Sequence, residues 1–143
     1  MRMLSRAYKI ALWVLGSAAI IVLVLYLGCS LMIGGDINSR SRSAMAQFDG
    51  DRVEALIAHV DCGTCRPEDR TGAVWALGQL RDKRALPVLH KYRTGKPCDH
   101  MRQICQYEIN KAIGWIEGRS YMLPQIWLVM LRDGHPQAAN NTL

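Results

Sequence analysis

Residues 69–89 read D-R-T-G-A-V-W-A-L-G-Q-L-R-D-K-R-A-L-P-V-L, and the outline of that stretch returns between Cys105 and Ile126. Ala76-Leu77-Gly78 corresponds to Ala112-Ile113-Gly114, Leu80 to Ile116, and Leu86-Pro87 to Leu123-Pro124. A unit one helical hairpin long that recurs at this period is the sequence signature of a stacked repeat.

Each copy reads as two antiparallel helices. In the first, Val74, Leu77 and Leu80 share a face with Ala73 and Ala76, the spacing of an amphipathic helix with a narrow seam. Arg81-Asp82 interrupts the pattern, and Asp82 is an expected N-cap for a second helix carrying Ala85, Leu86, Val88, Leu89 and Tyr92. Pro87 is tolerated near that helix's start, and Gly95 and Pro97 end it. In the second copy Asp99 is the expected N-cap, and Met101, Ile104, Cys105, Ile109, Ala112, Ile113 and Ile116 form the stripe. A last helix would carry Leu123, Ile126, Trp127, Met130 and Leu131.

The residues Ala73-Val74-Trp75-Ala76-Leu77-Gly78-Gln79-Leu80 followed by Asp82-Lys83-Arg84-Ala85-Leu86-Pro87-Val88-Leu89 resemble a HEAT-type repeat, in the short bacterial form also called PBS-lyase-like. The second copy departs from that pattern, with Glu117-Gly118 in place of the Asp turn. The resemblance implies an all-α fold, a short solenoid of antiparallel helix pairs used as a binding surface. It implies no catalysis, because the repeat supplies packing residues and no reactive group.

Upstream, no charged residue occurs from Ile10 to Ile33, and Ala, Leu, Ile and Val dominate. Such a run is long enough to cross a hydrocarbon core of about 30 Å as a helix. It exceeds the core of a signal peptide, and the A-x-A candidate Ala44-Met45-Ala46 lies well beyond it. Leu27-Gly28-Cys29 resembles the end of a lipobox, but Leu31, Met32 and Ile33 continue the apolar run past Cys29. An uncleaved single-pass anchor over residues 1–33 is therefore expected. Residues 34–48, Gly/Ser/Arg-rich between Gly34 and Ser43, read as a flexible tether. Residues 49–133 form the repeat domain, and residues 134–143 read as a disordered tail. Within the domain Val53, Leu56, Ile57 and Val60 give a capping helix, with Asp49 or Asp51 as N-cap.

The formal net charge is +6, but Arg2, Arg6 and Lys9 precede the apolar run, so much of the basicity belongs to membrane topology rather than nucleic-acid binding. Those three charges lean toward an internal N-terminus. The even set Cys62, Cys65, Cys98 and Cys105 suits an oxidising compartment, so the domain is expected on the periplasmic side of the inner, cytoplasmic membrane.

The same cysteines allow three readings: two disulfides, a zinc site completed by His100, or a thioredoxin-like redox pair at Cys62-Gly63-Thr64-Cys65. Disulfides rank first, because Cys98 and Cys105 do not form a recognised second zinc knuckle and the C-x-x-C lacks a βαβ context. Connectivity stays open between 62 with 98 and 65 with 105, which suits the repeat register, and the local 62 with 65 and 98 with 105. Arg81, Lys83, Arg84, Lys91 and Arg93 make the first repeat's second helix basic and are the interaction candidates, for an acidic partner or anionic headgroups. No nucleophile and base set, phosphate loop, small-molecule site or nucleic-acid motif is evident, so the expected role is a protein-binding module, an accessory or assembly subunit rather than an enzyme. A thiol-redox or metal-handling protein is the alternative.

Overall fold

A computed structural model describes residues 2–98 and 103–119, with side chains from residue 8 onward. Within them the chain is all helical: α1 (Arg2–Met45), α2 (Arg52–Asp61), α3 (Pro67–Leu80), a 3₁₀ turn (Lys83–Ala85), α4 (Leu86–Tyr92) and α5 (Gln106–Ile116). The expected N-cap Asp99, Met101, the helix bearing Leu123, Ile126, Trp127, Met130 and Leu131, and the tail 134–143 lie outside the described residues.

Local chemistry sets the helix ends. Asp51 caps α2: its Oδ1 accepts from the backbone N–H groups of Val53 and Glu54 at 2.9 Å each, while Glu54 Oε2 accepts from Asp51 N at 3.0 Å. That reciprocal box satisfies donors a helix start leaves open. Pro67 opens α3, where a missing N–H costs nothing. Asp82 caps as expected, accepting from Arg84 N at 2.9 Å, but the chain passes through the 3₁₀ turn before α4 begins. Gly95, at φ 72°, takes the left-handed conformation after α4.

One core joins α1 through α5. Leu56, Val60, Val74, Leu77, Leu89, Ile109 and Ile113 are essentially inaccessible in it. Helices α3 and α5 approach closely: a Cβ placed on Gly78 would stand 2.8 Å from Ala112 Cβ and 2.9 Å from Ala112 Cα. The two repeat copies thus meet across small residues, Gly78 of one against Ala112 of the other.

Two expectations are corrected. The stretch Gly34–Ser43 is not a loose tether: α1 continues through it to Met45. Along this part Ile37, Ser41 and Ala44 are fully buried, and Ser41 Oγ donates to Ile37 O at 2.7 Å. Burial of an i, i+4, i+7 stripe outweighs the poor helix propensity of Gly34 and Gly35. The end of α1 therefore pairs with α2, which the sequence left without a partner except for Ala44–Phe48. The second correction concerns α5, which starts at Gln106, not near Asp99. Ile104 and Cys105 are buried but not helical, held because Cys105 N donates to Thr71 Oγ1 at 3.2 Å.

Candidate functional site

The short connections reverse the chain direction at each step, so the loops fall at two ends of the domain. At one end Asp51, Asp82 and Arg84 meet. Arg84 bonds Asp51 Oδ2 at 2.7 Å and Asp82 Oδ2 at 2.9 Å, tying the start of α2 to the turn after α3. The Arg84 guanidinium is the leading reason the Asp82 carboxyl is held below its ordinary range. At Asp51 partial burial pushes upward, but the N–H of Glu54 and the Arg84 guanidinium together pull it below that range. Arg84 is in turn held further into its charged form, chiefly by Asp82.

The opposite end gathers the termini of α2 and α4 and the starts of α3 and α5. Asp61, closing α2, accepts from Lys91 Nζ and from Tyr92 Oη at 2.7 Å; the Lys91 bond is the main cause lowering its carboxyl. Gln106 Nε2 donates to Tyr92 O at 3.0 Å, and Gln106 Oε1 accepts from Thr94 N at 2.8 Å, so the first residue of α5 clamps the loop leaving α4. On α1, Arg40 lies over the Trp75 ring at 5.9 Å and against Gly72. Pro67, five residues before Gly72, is then about 7.5 Å further along, within roughly a turn of Ile33, where the apolar run ends. This end faces the apolar run.

Both cysteine pairs stand here. Cys62 and Cys65 are bonded, 2.04 Å between sulfurs. Cys98 and Cys105 are unbonded, with their sulfurs 3.1 Å apart. The structure therefore brings the cysteines together locally and not in the 62 with 98, 65 with 105 register that the repeat spacing suggested, because the α2–α3 turn folds Cys65 back on Cys62. Cys98 is exposed and Cys105 buried. Cys98 Sγ accepts from Tyr107 N at 3.4 Å, the leading cause lowering that thiol, whereas burial raises Cys105. Among the described residues no three His, Cys, Asp or Glu side chains converge as a metal site would require; His100, part of the zinc alternative, lies outside them. Cys29 is exposed on α1.

The basic interaction candidates do not form one face. Arg84 and Lys91 serve the clasps just described, at opposite ends. Arg81 closes α3 in a left-handed conformation at φ 54°, with Nε and Nη2 buried and without a hydrogen-bond partner among the described residues. Lys83 and Arg93 are exposed.

Arg93 instead borders a cleft of about 370 Å³ with Asn110, Lys111, Gly114 and Arg119. A second cleft, of about 440 Å³, lies between α1, α2 and α3, with Arg40, Gln47, His59, Thr64, Arg66 and Asp69 on its walls. Burial is the main reason the His59 imidazole is pushed below its usual value. Sequence reading missed this cleft, because Arg40 and Ser43, near the end of α1, and Gln47, in the turn after it, fall in the stretch read as a tether. Among the described residues the Arg93 cleft carries only cationic charge, from Arg93, Lys111 and Arg119, whereas the Arg40 cleft sets Arg40 and Arg66 beside Asp69; both offer hydrogen-bond donors.

Residues 69–92 match the family model of the PBS lyase HEAT-like repeat, a match that covers α3 from Asp69 onward, the 3₁₀ turn and α4. That match supports a HEAT-repeat domain of the kind that mediates protein interactions. No curated protein and no solved structure matches the chain.

Proposed function

We propose that this chain is a single-pass membrane protein whose HEAT-like domain is held rigidly at the membrane surface to bind another protein, as an accessory or assembly subunit of a membrane or periplasmic complex. The observation that carries the reading is the dual use of α1. Its first part is long and apolar enough to cross a membrane, and its last part is buried as the first helix of the repeat stack. Between Ile10 and Leu25 the large apolar side chains stand at least half exposed, with Trp13 at 81%. So long an apolar surface needs a cover, and 24 uncharged residues rise about 36 Å, enough for a bilayer core of about 30 Å.

The cationic flank of Arg2, Arg6 and Lys9 supports an internal N-terminus, and the Cys62–Cys65 bond supports an oxidising compartment for the domain. Together they favour the inner membrane with the domain in the periplasm. The partner surface includes the clefts at Arg93, Lys111 and Arg119 and at Arg40 and Arg66, whose chemistry suits acidic side chains. No catalytic role is part of this reading.

Fractionation followed by affinity capture of the full chain in mild detergent tests it. The expected result is a chain that stays with membranes through alkaline carbonate extraction and co-purifies with one partner in fixed ratio. Release by carbonate, or a solitary monomer at native abundance, would overturn it.

A further inference from the structure

Cys98 and Cys105 differ in every respect that matters to thiol chemistry. Cys98 is exposed, at the mouth of the α4–α5 loop, and its sulfur accepts the Tyr107 N–H in the first turn of α5. Cys105 is buried, its backbone N–H fixed to Thr71 of α3. The loop that carries Cys98 is already held by Gln106, through Thr94 N and Tyr92 O, so the two sulfurs are brought to 3.1 Å by contacts other than their own. That separation is about 1 Å longer than a formed disulfide.

We propose that Cys98 and Cys105 are a reversible disulfide pair, in which Cys98 attacks an external disulfide and Cys105 resolves the adduct. The Cys98 thiolate attacks one sulfur of the donor, forming a mixed disulfide and expelling the first donor thiolate. Cys105, deprotonated in turn, attacks Cys98 Sγ, forming the Cys98–Cys105 bond and expelling the second donor thiolate. The donor gains two electrons, and the two protons lost from the cysteines end on its thiols or in solvent. The direction of attack follows from access and from the backbone N–H groups that stabilise negative charge on Cys98, a helix-start environment that favours thiolate. The lowered Cys98 thiol and the raised Cys105 thiol agree with that order. The new bond would add a covalent link where Gln106 and Thr71 already gather α3, the α4–α5 loop and α5. It does not depend on the orientation of α1 in a membrane.

The test uses the full chain in detergent, reduced and then exposed to oxidised glutathione as the donor. Mapping of non-reduced, alkylated peptides is expected to show a Cys98–Cys105 link, distinct from Cys62–Cys65. In Cys105→Ser the adduct should stall as glutathione on Cys98, whereas Cys98→Ser should leave Cys105 unmodified on the same timescale. In the reduced wild-type chain, iodoacetamide should label Cys98 about tenfold or more faster than Cys105 at neutral pH, a readout that needs no variant to fold. Equal labelling rates, glutathione on Cys105 in Cys98→Ser, or a link from Cys98 to Cys62 or Cys65 would each overturn the proposal.

Discussion

Three glycine-to-alanine substitutions on neighbouring helices should move stability in different directions, and the reason lies in what each new methyl would touch. In a helix interior, alanine is favoured over glycine by about 1 kcal/mol. At Gly114 no atom of the described residues beyond its own helical turn stands within 4 Å of the new Cβ, so that gain is kept, and Gly114→Ala should stabilise by about 0.5–1 kcal/mol. At Gly72 the new Cβ would fall 1.9 Å from Arg40 Nη1, the far end of a flexible side chain. Arg40 can swing away, giving up its exposed pair with Asp36 and its place over Trp75, each worth about 1 kcal/mol or less. Gly72→Ala should therefore be nearly neutral. At Gly78 the obstacles are Ala112 Cβ at 2.8 Å, Ala112 Cα at 2.9 Å and Trp115 Cε3 at 3.0 Å. Carbon contacts prefer about 3.5–4.0 Å, so α5 itself must move by roughly 0.7 Å or more. Overpacking of this kind costs about 1–3 kcal/mol, and the helix gain offsets only about 1 of it. Gly78→Ala should lose about 1 kcal/mol net, a fall of about 4–8 °C in a domain of this size. Thermal melts of the full chain in detergent, followed by tryptophan fluorescence, give the order. A Gly78→Ala protein melting at or above the wild type would refute the close α3–α5 contact.

Asp51→Ala should cost about 1–2 kcal/mol, because it removes the α2 cap and leaves Arg84 a carboxylate short; a denaturant titration showing no change would exclude the capping box. Leu77→Ala, a fully buried side chain, should cost about 2–5 kcal/mol in the same titration. The carboxyls of Asp51, Asp61 and Asp82 are all lowered in the folded chain, so their contribution is fully present above the ordinary carboxylate range and is lost as pH falls through their lowered values. Melting midpoints should hold steady down to about pH 5 and fall below about pH 4, and Asp82→Asn should flatten that fall.

Much of the fold was legible because the first repeat is locally self-consistent. The stripe of Val74, Leu77 and Leu80, the Asp82 cap and the tolerated Pro87 all point to one hairpin, and the structure bears them out except that Asp82 caps the 3₁₀ turn leading into α4 rather than α4 itself. The end of α1 was not legible, since the residues it buries are Ile37, Ser41 and Ala44, of which Ile37 alone carries a strong apolar signal, flanked by glycines, serines and arginines that resemble a linker. Only the packed neighbours make that stripe a face. The start of α5 was missed for a related reason: Ile104 and Cys105 fit the helical spacing but are buried through a loop pinned by Gln106 and Thr71. The ion-pair partners of the basic candidates were not legible, because charge along a short helix says nothing about groups 30 residues away, and Arg84 and Lys91 each find carboxylates on α2 or its cap.

The central claim is that the apolar span and the repeat domain share one unbroken helix. Encoded spin-label amino acids at Leu23 and Arg42, both exposed on α1, avoid the native cysteines and bracket the glycine pair Gly34-Gly35. In liposomes, pulsed dipolar spectroscopy should give a single narrow distance near 28 Å, the rise of a continuous helix over that interval. A broad distribution, or one centred well below that value, would show a hinge between anchor and domain and would contradict the account.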